Sequence, residues 1–301
     1  MKCKGTKKNN TFFNFGKKKI IFFEKEKNYS LFHYLLTKIL YLCKKLKYNN
    51  KNCNFMDKKI VIIPTYNEKE NIEKIIRYVF SMPDLFHILI IDDGSPDGTA
   101  TIVKNLIPEF ENKLFIEERS GKLGLGTAYI HGFNWCISRN YDFIFEMDAD
   151  FSHNPADLIR LYNAAIENNA DLVVGSRYCN GVNVVHWPMS RILMSYYGSA
   201  YVRTILRVPV RDNTAGFVCY RRKVLEAINF NKIKHIGYGF QIEMKYVSWK
   251  LGFKLYEVPI IFTDRTEGTS KMSKGILKEA IFGVIKLRLS AMFRGIKAYK
   301  K

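Results

Sequence analysis

Several familiar signatures are missing from this 301-residue sequence, and each absence removes a class of protein. The six cysteines, Cys3, Cys43, Cys53, Cys136, Cys179 and Cys219, form no Cys-x-x-Cys pair and stand at no zinc-type spacing from histidine. Neither a disulfide framework nor a structural metal is indicated, and a reducing compartment is the simpler setting. No repeat with a period of about 20–50 residues is present, so a solenoid is excluded. The glycine-rich stretch Gly121-Lys122-Leu123-Gly124-Leu125-Gly126-Thr127 lacks the Gly-Lys-Ser/Thr ending of a P-loop and reads as a close-approach loop opening a helix. No apolar run is long enough to cross a bilayer. The basic N-terminus leads into no adequate apolar core and no small-residue cleavage site, so no cleavable signal peptide is expected.

Acidic residues are also in short supply: 28 against 48 lysines and arginines, a net charge of +20. The excess is uneven. Residues 1–55 hold 14 lysines and two glutamates, a net of +12, which leaves +8 for the remaining 246 residues. This segment is rich in Asn, Phe and Tyr, and its block Lys17-Lys18-Lys19 is of the kind that is disordered or rests on an anionic surface. Only residues 30–43 have helical promise there, with Leu31, Tyr34, Leu35, Ile39 and Leu42 on one face. The division expected is a basic extension over 1–55, a globular domain over 56–272 and a basic amphipathic helix over 273–301. A start of translation at Met56 would remove the extension from the working protein.

From Lys59 the pattern becomes alternating strands and helices. Lys59 to Ile63 is a β-branched run closed by Pro64, and Glu68 to Phe80 carries Ile72, Ile75, Ile76 and Val79 at helical spacing. Phe86 to Ile91 with a capped helix over Asp97 to Leu106, Lys113 to Glu117 with Leu125 to Arg139, and Phe143 to Met147 with Pro155 to Asn168 repeat the unit. This alternation predicts an α/β fold with a mostly parallel central sheet and helices on both faces.

The chemistry gathers at the strand ends. Phe143-Ile144-Phe145-Glu146-Met147-Asp148-Ala149-Asp150 is an apolar strand ending in two carboxylates one residue apart, where open α/β sheets bind ligands. Two such carboxylates stay ionised together only beside a cation, and a hard divalent ion takes carboxylate and phosphate oxygens at once. A pyrophosphate ligand is implied. After the first strand, Pro64-Thr65-Tyr66-Asn67-Glu68 sets an aromatic ring and a carboxylate beside a helix start; an ordinary N-cap accounts for Asn67 but not for Tyr66. After the second, Asp92-Asp93-Gly94-Ser95-Pro96-Asp97-Gly98-Thr99 places two acids where a ribose diol is commonly held. Arg221 and Arg222 read as solvated surface charges.

These motifs in this order resemble the family 2 glycosyltransferases of the GT-A fold. More narrowly, Met147-Asp148-Ala149-Asp150-Phe151-Ser152-His153-Asn154-Pro155 is similar to the catalytic subunits of dolichol-phosphate mannosyltransferases. The resemblance runs from Lys59 to Leu289 through Gly175-Ser176-Arg177-Tyr178, Asp212-Asn213-Thr214-Ala215-Gly216-Phe217, Gly239-Phe240-Gln241-Ile242-Glu243-Met244, Glu257-Val258-Pro259-Ile260 and Asp264-Arg265 with Gly268, Ser270 and Lys271. It implies a GDP-mannose site in which Pro64, Tyr66, Glu68, Ile91 and Asp93 hold the nucleoside. Asp148, Ala149 and Asp150 hold the sugar-phosphate end, with Mg²⁺ or Mn²⁺ on the two carboxylates. Ser152 stands where some relatives supply a further metal ligand. Arg177, Arg265 and Lys271 match phosphate-binding positions, and bringing two anionic phosphates together requires such charge. Asp148, Asp150, Arg177 and Arg265 are the candidate catalytic residues.

The implied acceptor is dolichyl phosphate, whose oxygen is already anionic, so attack on the anomeric carbon needs no strong general base. The implied product, formed with inversion, is dolichyl β-D-mannosyl phosphate, a mannose donor for GPI anchors and protein glycosylation. Trp187 to Val208 and Lys274 to Tyr299 mix apolar residues with arginines and lysines. The first suits either a membrane interface or a core helix. A peripheral enzyme on the cytosolic face of the endoplasmic reticulum is expected, held by these helices or by small membrane partner subunits. Two competitors remain: transfer of glucose from UDP-glucose to the same lipid, and a basic nucleic-acid-binding protein. Against the second, the charge excess is separable from the fold, and the fold's conspicuous loops are acidic.

Overall fold

The computed structural model describes residues 13–15, 18–20, 57–237, 239–264, 282–290 and 295–301. The chain divides into two compact units, 1–56 and 57–301. In the first, Phe13–Phe15 pairs antiparallel with Lys18–Ile20; the helix expected over 30–43 lies outside the described residues.

The second unit is built on a seven-stranded sheet. Its strands are β1 (Lys59–Thr65), β2 (His87–Asp92), β3 (Leu114–Glu118), β4 (Phe143–Glu146), β5 (Leu172–Ser176), β7 (Val218–Arg221) and β8 (Leu255–Pro259). The spatial order is β8-β5-β7-β4-β1-β2-β3. Pairing is parallel throughout except that β7 runs antiparallel to both β4 and β5. A second, two-stranded sheet joins β6 (Val184–Val185) to β9 (Phe262–Thr263) in parallel.

Why the strands read as unbroken apolar runs is plain from the layers. Along β1, Ile60 and Ile62 enter one core and Val61 and Ile63 the other, because successive side chains point to opposite faces. One core is closed by α3 (Leu125–Ser138), α5 (Met189–Leu206), α6 (Arg222–Ala227) and α7 (Gly239–Lys250), through side chains such as Phe133, Leu206, Val224 and Phe240. The other is closed by α1 (Ile72–Ser81), α2 (Thr99–Leu106) and α4 (Asp157–Glu167), through Ile76, Val103 and Leu161. Each large apolar side chain taken fully from water contributes about 1.5–3 kcal/mol, so a strand buried on both faces is strongly held in register.

The expected mostly parallel α/β sheet with helices on both faces is therefore present. Two local readings change. Helix α1 begins at Ile72 rather than Glu68, and Asn67 is not its N-cap: it sits at φ +59°, and the capping position is Asn71. Arg221 is not a solvated surface charge either. Its Nε donates to Ala170 O at 2.8 Å and its Nη2 to Ala165 O at 2.9 Å, satisfying carbonyls at and beyond the C-terminal end of α4, while the guanidinium covers the Phe143 ring.

Candidate active site

Strand β1 lies between β2 and β4, so strand order switches sides at β1, and the loops leaving the C-terminal ends of these strands lie where open α/β sheets bind ligands. Three loops meet there. The loops after β1 and β2 are laced together: Asn67 N donates to Ser95 Oγ at 3.0 Å, Glu68 N to Thr99 Oγ1 at 3.0 Å and Lys69 N to Asp97 Oδ2 at 3.1 Å. Thr65 Oγ1 donates to the buried Asp92 Oδ1 at 2.8 Å, and Asp93 N donates to Thr65 O at 3.0 Å. Pro64, Tyr66, Glu68, Ile91 and Asp93 are thus carried on one cross-linked wall. Ile91 itself is fully buried, its side chain packed in the core. The Tyr66 ring lies 5.0 Å from Lys122 Nζ of the glycine-rich loop.

The third loop carries the acidic turn. Asp148 keeps 40% of its side chain exposed, Ala149 is buried, and Phe151 takes φ +57° to turn the chain back. Ser152 is buried, and its amide donates to Asp150 Oδ1 at 3.0 Å. His153 stacks on Phe217 with ring centroids 4.9 Å apart and meets Phe262 edge-on. Its Nδ1 lies 3.8 Å from Asp148 Oδ2, but burial pushes the imidazole down to about 4, so at neutral pH this is not an ion pair. Behind the turn, Glu146 is fully buried and accepts from Gln241 Nε2 at 2.8 Å. Burial pushes Glu146 up to about 8; the ammonium of Lys245 opposes that shift. Lys245 in turn donates to Ala215 O at 2.7 Å and to Gln241 Oε1 at 3.2 Å, tying α7 to the loop before β7.

Among the described residues no third His, Cys, Asp or Glu joins Asp148 and Asp150 to make a protein-only metal cage. The donor set is nonetheless suited to a hard divalent cation, which is commonly held by one or two carboxylates and takes the rest of its shell from substrate phosphates and water.

Arg177, at the end of β5, is buried against Asp212. Its Nε and Nη2 each donate at 2.7 Å to separate carboxylate oxygens, its amide donates to Oδ2 at 2.9 Å, and Nη2 also reaches Thr214 Oγ1 at 2.8 Å. The pair holds Asp212 below the usual carboxylate range despite its burial. Nη1 makes no hydrogen bond with the described residues. Rings of Tyr178, Trp187 and Phe262 surround the guanidinium. Asp264, which ends the described part of this segment, accepts from Arg191 Nη1 at 3.0 Å. Arg265 and Lys271 follow it and lie outside the described residues.

Three features escape the sequence reading. Arg119 pairs with Asp93, Asp212 anchors Arg177, and Lys245 offsets the burial of Glu146. Asp212 stands within a motif singled out above, but its partner is 35 positions away and nothing local points to it. The glycine-rich stretch is a close-approach loop, as expected. A Cβ on Gly126 would stand 2.8 Å from the Phe240 ring, and Gly124, at φ +102°, lies against Ile236.

Helix α5 exposes apolar residues along its N-terminal half. Met189, Leu193, Met194, Tyr196 and Tyr197 are all exposed, Met189 by 67% and Tyr197 by 64%, while only Ser199, Val202 and Leu206 of that helix are buried. The N-terminal half of α5 is therefore not a core helix. Residues 282–290 form a further helix that buries Val284 and Leu287 and exposes Phe282, Ile285 and Leu289. Among the described residues no helix is long and apolar enough to cross a membrane.

A family model described as glycosyl transferase family 2 matches residues 60–228. The chain is 44% identical over 225 residues to the polyprenol monophosphomannose synthase of Mycolicibacterium smegmatis, covering 75% of this chain and 84% of that protein. It is 42% identical over 239 residues to the undecaprenyl-phosphate mannosyltransferase of Micrococcus luteus, covering 79% of this chain and 97% of that one. Among solved structures, glucosyl-3-phosphoglycerate synthase from Mycobacterium tuberculosis superposes with a TM-score of 0.56 at 18% identity, over 78% of this chain and 79% of that one. The same enzyme in complex with Mn²⁺, UDP-glucose and phosphoglyceric acid gives a TM-score of 0.56 at 16% identity, over 77% of this chain and 79% of that one. At such identities the likeness is one of fold.

Proposed function

Since the chain belongs to glycosyltransferase family 2, we propose that it transfers mannose from GDP-mannose to the phosphate of a polyprenyl lipid, with dolichyl phosphate as its acceptor. The observation that carries this is the acidic turn Asp148-Ala149-Asp150, set at the C-terminal strand ends beside the cross-linked loops after β1 and β2. Two relatives above 40% identity that transfer mannose to polyprenyl phosphates, by their names, support the sugar and the class of acceptor.

In this reading Pro64, Tyr66, Glu68, Ile91 and Asp93 border the guanosine, and Asp148, Ala149 and Asp150 border the sugar-phosphate end. A divalent cation, Mg²⁺ or Mn²⁺, held by Asp148 and Asp150 and bordered by Ser152, would neutralise charge gathering on the departing diphosphate. Arg177 offers its remaining Nη1 toward a phosphate oxygen while Asp212 keeps the guanidinium from swinging away. Arg265 and Lys271 add positive charge from the segment that follows Asp264. No side chain is assigned as general base, because the acceptor oxygen is already anionic. The two carboxylates that compete for such a role have other work: Asp93 holds Arg119, and Glu243 Oε2 accepts from the amides of Lys234 and His235 at 2.9 and 3.0 Å and from His235 Nδ1 at 2.8 Å. Displacement in line gives the β-mannosyl phosphate.

The acceptor's tail lies in a bilayer, and the exposed face of α5 supplies the surface that meets it. We place the enzyme peripherally on the cytosolic face of the endoplasmic reticulum, feeding GPI-anchor and protein glycosylation, with small membrane-anchoring subunits as partners. Nucleic acid is not among its ligands. The test is a matrix of two donors, GDP-mannose and UDP-glucose, against dolichyl and undecaprenyl phosphates, using the full chain in detergent. The expected result is fastest product formation from GDP-mannose and dolichyl phosphate. Preference for UDP-glucose would refute the donor, and preference for undecaprenyl phosphate would refute the lipid.

A further inference from the structure

We propose that Arg119 is a positioning residue for the donor nucleoside, acting through Asp93 and tying it to the glycine-rich loop. This rests on the nucleotide-sugar reading above. Arg119 stands one residue beyond β3, where its amide donates to Asp92 O at 2.8 Å and continues the β2–β3 ladder. The backbone is thereby fixed, and the side chain reaches back across the top of the sheet. Its side chain is only 8% exposed and that of Asp93 9%.

All three guanidinium nitrogens have partners within the protein. Nε donates to Asp93 Oδ1 at 2.7 Å, and Nη2 contacts the same oxygen at 2.5 Å. Nη1 donates to Thr127 Oγ1 at 2.8 Å, and Nη2 also points at Gly124 O at 3.5 Å. Thr127 Oγ1 itself donates to Gly124 O at 2.7 Å. Each nitrogen of the fork has a protein partner, one Nη1 N–H is left without one among the described residues, and the side chain is only 8% exposed, so its main effect passes through Asp93.

The asymmetry at Asp93 is the informative detail. Both guanidinium contacts fall on Oδ1, and Oδ2 accepts no hydrogen bond among the described residues. A carboxylate clamped by one oxygen presents the other in a fixed direction, which is what recognition of a nucleoside hydroxyl or ring N–H requires. The clamp also fastens the nucleoside wall to the loop 124–127. That loop is itself pinned by the hydrogen bond from Gly126 N to Ile236 O at 2.8 Å. A lysine in place of Arg119 brings a single nitrogen on a flexible stem, which cannot span Asp93, Thr127 and Gly124 as the planar fork does, and leaves Asp93 free to turn.

The experiment compares wild type, Arg119→Met and Arg119→Lys by inhibition of mannosyl transfer with two probes. GDP tests the whole donor nucleotide; inorganic pyrophosphate tests the phosphate end alone. The expected result for Arg119→Met is GDP inhibition weakened by about 10- to 100-fold, the worth of a charge-assisted hydrogen bond. Pyrophosphate inhibition stays unchanged, kcat stays within about threefold at saturating donor, and the KM for GDP-mannose rises in step. Arg119→Lys falls between the two, and it decides the question alone if the methionine variant does not fold. Equal weakening of both probes, or no change in either, overturns the proposal. If wild type is not inhibited by GDP, the donor-site reading fails first and the inference falls with it, an outcome visible before any variant is made.

Discussion

Replacing Asp212 by Asn and Arg177 by Met, singly and together, separates what the buried pair does for the fold from what Arg177 does for the reaction. Asp212 is fully buried and Arg177 is 8% exposed, and the pair is joined by three hydrogen bonds of 2.7–2.9 Å. Removing one member leaves the other as an uncompensated buried charge, which costs about 3–5 kcal/mol. With a urea m-value of about 2–3 kcal/mol/M, the unfolding midpoint of either single variant falls by about 1–2 M. The double variant removes both charges and keeps an amide oxygen for the Arg177-position N–H. Its loss is therefore smaller than the sum of the singles by about 2 kcal/mol or more. Transfer does not follow stability. On the proposal that Nη1 meets a phosphate oxygen, the double variant folds yet turns over about 10²–10³-fold more slowly, the range for removal of one donor at a developing charge. Additive stability losses would refute the buried-pair argument; a double variant with wild-type turnover would refute the phosphate role.

Other expectations follow from the same geometry. Gly126→Ala forces a methyl to within 2.8 Å of the Phe240 ring and lowers stability by about 1–3 kcal/mol, whereas Gly121→Ala, with open space around it, leaves the melting temperature unchanged. Combined Met189→Ser, Leu193→Ser and Tyr197→Ser substitutions weaken co-sedimentation with anionic vesicles by at least about tenfold, without a fall in melting temperature, since these side chains are exposed. His87, hydrogen-bonded through Nδ1 to Tyr141 OH at 2.7 Å, has its pKa lowered by burial and then by Lys113 and Lys58. The unfolded chain therefore takes up a proton first as pH falls through about 6.5, and the stability present above that pH is lost. His87→Gln makes the melting temperature less steep between pH 7 and pH 5.

How much of this was legible in the sequence depends on the range of the interactions. Strands β1, β2 and β4 announce themselves because each is buried on both faces and must be apolar throughout. The acidic turn stands out in the sequence as two carboxylates one residue apart directly after such a strand. Strand β7 is four residues long and carries no periodicity, and its antiparallel insertion between β4 and β5 is a fact of the sheet alone. Arg221 looked like surface charge because its carbonyl partners are 51 and 56 positions away. Arg119 was hidden for a related reason: its meaning comes from Asp93, 26 positions earlier, and from a ladder that brings the ends of β2 and β3 together. Asn67 stands beside a helix in the sequence, but its amide bonds to Ser95 Oγ in the loop after β2, its φ is +59° and α1 starts only at Ile72.

The central claim is that Asp148 and Asp150 form the donor's diphosphate and metal site. It is tested most directly by measuring mannosyl transfer from GDP-mannose to dolichyl phosphate by the purified full chain, beside its Asp150→Asn variant, in Mn²⁺ and in EDTA. The account predicts transfer by wild type that EDTA abolishes and Mn²⁺ restores, and a folded Asp150→Asn variant slowed by at least about 10²-fold. Undiminished transfer by Asp150→Asn, or by wild type in EDTA, would contradict it.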